Sequence, residues 1–82
     1  MIKDARFHFD NLAKHAIEWF EAEEALWDGW HHRRREGEHY EVLGRTEDGR
    51  YLQLMVTLQP DCLWVFHGRD MTPSEKKRYA RK

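Results

Sequence analysis

His39-Tyr-Glu-Val-Leu-Gly-Arg-Thr46, Glu47-Asp-Gly49, Arg50-Tyr-Leu-Gln-Leu-Met-Val-Thr-Leu58, Gln59-Pro-Asp61 and Cys62-Leu-Trp-Val-Phe-His-Gly-Arg69 follow one another without interruption. The three longer runs are rich in β-branched, aromatic and leucine residues and are bounded by turn formers, which is how strands read. Asp48-Gly49 between two such runs signals a hairpin, because glycine accepts positive φ. Pro60 pre-sets φ in the second turn. Two hairpins in series make an antiparallel meander. Leu52, Leu54, Val56 and Leu58 alternate along the middle run, so all four are expected on one face, the core face.

Helical signals lie on both sides of the meander. Thr72-Pro73-Ser74-Glu75 reads as an N-cap, a proline at the first helical position and the acidic partner of a capping box. The helix it opens is expected to run from Pro73 to about Arg81, and its basic end suits the macrodipole. Upstream, Phe7 and Phe9 alternate with Arg6 and His8, the period of a short strand over Ala5 to Phe9. Asp10-Asn11 supplies capping chemistry. From Leu12 the period becomes helical, with Leu12, Ala16, Trp19, Phe20 and Leu26 near one side and Lys14, Glu18, Glu21 and Glu24 largely on the other. No Gly or Pro interrupts Asn11 to Trp27, which leaves one rod or two short helices open. Asp28-Gly29-Trp30 stops the helical pattern, with Gly29 as a C-terminal cap. His31-His32-Arg33-Arg34-Arg35 and Glu36-Gly37-Glu38 read as a loop. The order of strand, helical region, three strands and helix predicts an α+β fold. Its sheet is four-stranded and mainly antiparallel, with the N-terminal helices and the one C-terminal helix on one side.

The chain has 82 residues, enough for a single domain over 1–82 with a small core. One cysteine, Cys62, cannot form an internal disulfide, and it reads as a small buried hydrophobe. No apolar run approaches the roughly 20 residues that span a bilayer. Met1 to Arg6 leads into no apolar stretch, so no signal peptide and a cytoplasmic location are expected.

The net charge of −1 conceals an asymmetry. Glu18 to Asp28 holds five acids and no base, while Met71 to Lys82 holds five bases and one acid. A basic knot stands at His31 to Arg35. Such a chain can offer one face to a basic partner and another to an anionic one, or simply solvate a helix face at each end.

Phosphate-loop, dinucleotide, zinc-protease and nucleophile-elbow motifs are absent, and the one serine, Ser74, belongs to the capping box. Six histidines are present, but no pair has metal-ligand spacing with a third ligand in view, so neither metal nor cofactor is expected. What remains is a set of cations near the hairpins. Arg45 and Arg50 flank the Asp-Gly turn, His67 and Arg69 are two apart near the end of the last strand, and Lys76, Lys77 and Tyr79 lie on the last helix. Arginine offers a planar fork of donors to phosphate, and histidine moves protons near neutral pH. Together they could grip an RNA backbone and assist 2′-hydroxyl attack on the adjacent phosphate. Alternatively, Arg45 and Arg50 pair with Glu47, Asp48 or Glu41, and Arg69 with Asp70 or Glu75.

Leu12-Ala-Lys-His15-Ala-Ile17, Glu21-Ala-Glu-Glu-Ala-Leu26, Gly44-Arg-Thr-Glu-Asp-Gly-Arg-Tyr-Leu52, and Gly68-Arg-Asp-Met-Thr72 continuing through Glu75 to Tyr79 resemble the BrnT family. The likeness runs from about Phe7 to Tyr79. The resemblance implies a RelE-like fold and a toxin of a type II toxin–antitoxin module, a ribonuclease neutralised by a DNA-binding antitoxin of the ribbon-helix-helix type. It implies that Arg45, Arg50, Arg69, His15 and Tyr79 match recurrent family positions. Arg69, His67, Arg50 and Tyr79 are then the catalytic candidates, with Arg45, Lys76, Lys77 and His15 as RNA contacts. Two positions depart from the family pattern: Ala16 stands where glycine is usual, and His67-Gly68-Arg69 stands where Ser/Thr-Ala-Arg is usual. His67 could add a proton-transfer group, and Gly68 could mark a bulge or a close backbone approach. A non-catalytic binding module of the same fold is the alternative, with Trp19, Trp27, Trp30 or Trp64 as partner anchors. Self-association through an uncovered edge strand is a further expectation.

Overall fold

A computed structural model of the chain describes residues 4–29 and 33–81. Trp30, His31, His32 and the chain ends lie outside the described residues, and with them the His31-His32 pair and the proposed Trp30 anchor. The elements are β1 (Ala5–Phe7), α1 (Phe9–Ala13), α2 (Trp19–Gly29), β2 (Arg34–Glu36), β3 (His39–Arg45), β4 (Tyr51–Leu58), β5 (Leu63–Asp70) and α3 (Pro73–Ala80). The α+β class and the meander stand as expected, but the sheet has five strands, in the order β1-β5-β4-β3-β2. Strand β1 pairs parallel to β5, and the other pairs are antiparallel.

The extra strand is β2, which the sequence reads as loop. Arg34, Arg35 and Glu36 pair with Glu41, Tyr40 and His39 through a turn in which Gly37 takes a φ of +64°. All three β2 residues are exposed, so an edge strand wet on both sides needs no apolar alternation and leaves no period to read. Both outermost strands, β1 and β2, are three residues long, so they cover only Leu63 to Val65 of β5 and His39 to Glu41 of β3.

The helices do not share one side, which corrects the second part of the expectation. Helices α1 and α2 cover the face that carries Val42, Leu52, Leu54, Val56, Leu63 and Val65, and Leu12, Ile17, Ala22, Ala25 and Leu26 complete this core. Helix α3 binds Glu41 and Arg69, whose positions alternate with Val42 and Gly68, so it lies over the other face. Leu58, expected in the core, is 48% exposed at the end of β4. Trp19 and Phe20 point outward, and Ala22, Ala25 and Leu26 form the buried side of α2.

The helical region is two helices, and its break has a local cause. Ala16 has a φ of 56°, in the left-handed region. The Ile17 N–H donates to the Leu12 carbonyl and the Ala16 N–H to the Ala13 carbonyl, both at 3.0 Å. This is the Schellman pattern, closed by the buried pair Leu12 and Ile17. At the other end of α1 the N-cap is His8, whose Nδ1 accepts from the Asn11 N–H, and not the expected Asp10-Asn11. The Asn11 side chain instead donates to the Phe66 carbonyl at 2.8 Å. That bond stands in for β1, whose pairing with β5 ends at Phe7 opposite Val65. The capping box of α3 is present in full, with Thr72 and Glu75 bonded reciprocally.

Candidate functional site

Strand β5 is irregular where it carries the candidate residues. Val65 pairs with Val56 and His67 with Met55, so Phe66 is an inserted residue. Beyond Val65, β5 has lost its neighbour β1 and runs along the sheet edge. There His67 meets His15, from the turn after α1, with ring centroids 5.3 Å apart and an edge-on tilt of 82°. Two histidines 52 positions apart are brought together by the α1 turn and the bulge. Gly68 is not the bulge, since it pairs regularly with Leu54, but it is a close approach: a Cβ there would lie 3.0 Å from methyls of Leu12 and Leu54.

Burial lowers the pKa of His67 below the usual imidazole range, and the charges of His15, Arg69 and Lys14 push it the same way. His67 thus favours its neutral form and sits in the positive field of Arg69 and Lys14. Lys14 was not singled out from the sequence. Its neighbour His15 was, but nothing in the spacing reveals that the α1 turn sets both beside β5.

Arg69 is held in place. It donates to both carboxylate oxygens of Glu75 at 2.7 and 2.8 Å and to the Asp70 carbonyl at 3.1 Å. Glu75 also accepts from the Thr72 N–H, so one carboxylate caps α3 and aligns the arginine. Its pKa falls to about 2, chiefly through the Arg69 guanidinium, against an opposing effect of burial. Alongside, Arg78 donates to Glu41 at 2.9 Å, and the Gln53 amide donates to the other Glu41 oxygen at 3.0 Å. The Arg69–Glu75 pair was among the alternatives open in the sequence; the buried Glu41 was offered only as a hairpin partner for Arg45 or Arg50.

Arg50 lies close by but makes four hydrogen bonds within the fold. Its Nε donates to Asp70 at 2.9 Å, one terminal nitrogen to the Ala16 carbonyl at 2.8 Å and to Glu21 at 3.2 Å, and the other to the His15 carbonyl at 3.0 Å. These carbonyls are the ones left open where α1 ends. Glu21 meanwhile accepts from the Glu18 N–H at the start of α2. Arg50 therefore clamps the α1–α2 junction to the sheet. It does not pair with Glu47, Asp48 or Glu41.

The remaining candidates gather elsewhere. Tyr51 pairs with Arg45, four positions along β4 from Met55, the partner of His67. That spacing corresponds to about 13 Å. Around the Tyr51 ring stand the Arg45 guanidinium at 5.4 Å, the Lys76 ammonium at 5.5 Å and the Tyr79 ring at 5.7 Å. The Tyr79 hydroxyl donates to Asp28 at 2.7 Å, which also accepts the Arg45 N–H. Burial, and then the bond to Asp28, push Tyr79 up to about 12. The phenol stays protonated at any physiological pH. Lys77 is exposed on the last turn of α3. Seven of the eight candidates thus fall into two groups, one of His15, His67, Arg69 and Arg50 and the other of Arg45, Lys76 and Tyr79 around Tyr51.

No cluster of three or more His, Cys, Asp or Glu side chains forms a potential metal site among the described residues. Cys62 is buried, and its thiol lies 3.6 Å from the Gln59 side-chain oxygen. No helix among the described residues is long and apolar enough to cross a membrane. Comparison with family models, curated proteins and solved structures finds no match to this chain.

Proposed function

We propose that the chain is a BrnT-like toxin component whose reaction is metal-independent cleavage of RNA at the His15–His67 pair. The observation that carries this reading is a neutral imidazole, His67, placed against a second imidazole in the field of Lys14 and Arg69. The groups that lower the pKa of His67 are the ones a phosphodiester anion would seek. In this reading His67 takes the proton of the ribose 2′-hydroxyl. The freed oxygen attacks the adjacent phosphorus, and His15 protonates the departing 5′-oxygen. The products are a 2′,3′-cyclic phosphate and a 5′-hydroxyl. Arg69, aligned by Glu75, and Lys14 face the charge that builds on the phosphate. Two imidazoles supply both proton transfers, so the chemistry calls for no metal. Arg50 and Tyr79 serve the fold here, and the Tyr51 group lies beyond reach of the scissile phosphate.

Cleavage of a labelled oligoribonucleotide by the purified chain tests this. His67→Ala and His15→Ala should each lower the rate by about 10²-fold or more. The pH profile should be bell-shaped, with its acid limb below the ordinary imidazole value of 6.5. A 2′-deoxy residue at the cleaved position should block the reaction. Cleavage of the deoxy substrate at an equal rate, or intact RNA after incubation with folded protein, overturns the reading.

A further inference from the structure

We infer that the outward side of α2 docks a cationic, amphipathic segment of a partner protein. The inference stands apart from the His15–His67 site and does not rest on RNA cleavage.

Helix α2 buries Ala22, Ala25 and Leu26 completely. Its other side leaves Trp19 48%, Phe20 45% and Trp27 47% exposed. At 100° per residue, Trp19, Phe20 and Trp27 fall within one sector of the helix, with Glu23 between Trp19 and Trp27 and Glu24 just beyond Phe20. Single exposed apolar side chains are ordinary, but three large aromatics on one side of an 11-residue helix form a patch. Trp19 and Phe20 are already packed edge to face, with ring centroids 6.0 Å apart. The patch is thus a preformed surface of the kind that supplies binding hot spots.

Charge selects the occupant. Helix α2 carries no lysine or arginine. Among the described residues, Glu21 pairs with Arg50, on the edge away from the aromatics. Neither Glu23 nor Glu24 meets a cation there, and Glu24 accepts a backbone N–H from Glu47. Beyond Trp27 the helix borders an open cleft of about 700 Å³ whose walls include Glu24, Asp28, Arg45, Glu47 and Tyr79. A nucleic acid or an anionic membrane would be repelled by these carboxylates. A segment that alternates lysine or arginine with apolar residues fits both properties. Its aliphatic stems cover the indoles, its charged heads reach Glu23 and Glu24, and one long cationic side chain can enter the cleft beside Trp27.

The test uses the full chain and two synthetic peptides of about four helical turns. One is built from lysine and leucine, and the other has glutamate in place of lysine. Calorimetry gives affinity, and NMR of the indole N–H groups gives the location. The Lys/Leu peptide should bind, shift the Trp19 and Trp27 indoles and leave Trp64 unmoved. Its affinity should fall about tenfold on raising NaCl from about 50 to about 300 mM. The double substitution Glu23→Lys and Glu24→Lys should weaken it at least as much, with circular dichroism unchanged. Absence of binding, equal binding of the Glu/Leu peptide, undiminished binding to the double variant, or shifts centred on Trp64 each overturn the inference. So does a dimer of the free chain in light scattering that Trp27→Ala dissolves, because the face then belongs to a second copy.

Discussion

The two faces of the sheet are held by different forces. On one, Leu12, Ile17, Ala22, Ala25 and Leu26 interlock with Val42, Leu52, Leu54, Val56, Leu63 and Val65, none more than 4% exposed. Each large aliphatic side chain so buried is worth about 2 kcal/mol. On the other face the one buried residue of α3 is Glu75, and Tyr79 adds an edge-on contact with Tyr51. The helix is fastened by Glu75 to Arg69 and by Arg78 to Glu41. Area is insensitive to acid and salt, whereas ion pairs are not. The difference assigns the rigid half of the molecule to α1 and α2, and the releasable half to α3, the element that aligns Arg69.

The largest expected effect breaks the apolar face. A Cβ at Gly44 would stand 1.8 Å from the Ala25 carbonyl oxygen, so α2 lies on bare β3 backbone. Backbone cannot rotate away as a side-chain tip can. Gly44→Ala should therefore cost about 3 kcal/mol or more in urea unfolding. Gly37→Ala is the comparison: it meets nothing within 4 Å and costs only the strain of a φ of +64°, about 1 kcal/mol. Equal urea midpoints for the two variants would show that α2 does not rest on Gly44.

The next effect tests the polar face. Glu75→Gln keeps the volume and removes the charge that Arg69 grips. A loss of about 2 kcal/mol is expected at neutral pH. It should appear in α3 amide hydrogen exchange before it appears in α2. Acid should mimic it in the unaltered chain. The folded pKa of Glu75 is depressed to about 2 from an ordinary 4.5, so its contribution is full above 4.5 and is lost as pH falls towards 2. Protection of α3 should decline through that window, and Glu75→Gln should abolish the decline. Protection unchanged from pH 5 to about 2.5 would mean that α3 is held by packing after all.

The same division explains what could be read from the sequence. Strands β3, β4 and β5 announce themselves because alternation and turn residues agree, and α3 because a capping box is a local, fixed spacing. Neither depends on what lies across the fold. Strand β2 does: Arg34, Arg35 and Glu36 carry no period, and only pairing with β3 makes them a strand. The buried side of α2 departs from the sequence pattern because alanine, not tryptophan, fits against Gly44, so the larger residues face out. At the candidate site, residue types were legible but partners were not. Arg50 looks identical in sequence whether it holds a phosphate or two backbone carbonyls, and the choice is made by a turn 34 residues away.

That turn supplies the smallest effect and the finest comparison, since it belongs to the apolar face but is clamped by charge. Ala16 occupies the left-handed position of a Schellman motif, where a Cβ crowds the following carbonyl at a cost of roughly 1–2 kcal/mol. Ala16→Gly removes that strain but gives the unfolded chain more freedom, worth about 0.4–1 kcal/mol against folding. The net expectation is a gain of about 0.5–1 kcal/mol, read as a higher urea midpoint at unchanged slope. The gain has a second signature. The Arg50 clamp grips the carbonyls of His15 and Ala16, so it resists any other backbone arrangement in the unaltered chain. In Arg50→Met the turn is no longer held, and the strained alanine should become the weak point. Ala16→Gly should therefore stabilise the Arg50→Met background by more than it stabilises the original chain. A double-mutant cycle with no coupling between the two substitutions would show that the turn holds its shape without the arginine.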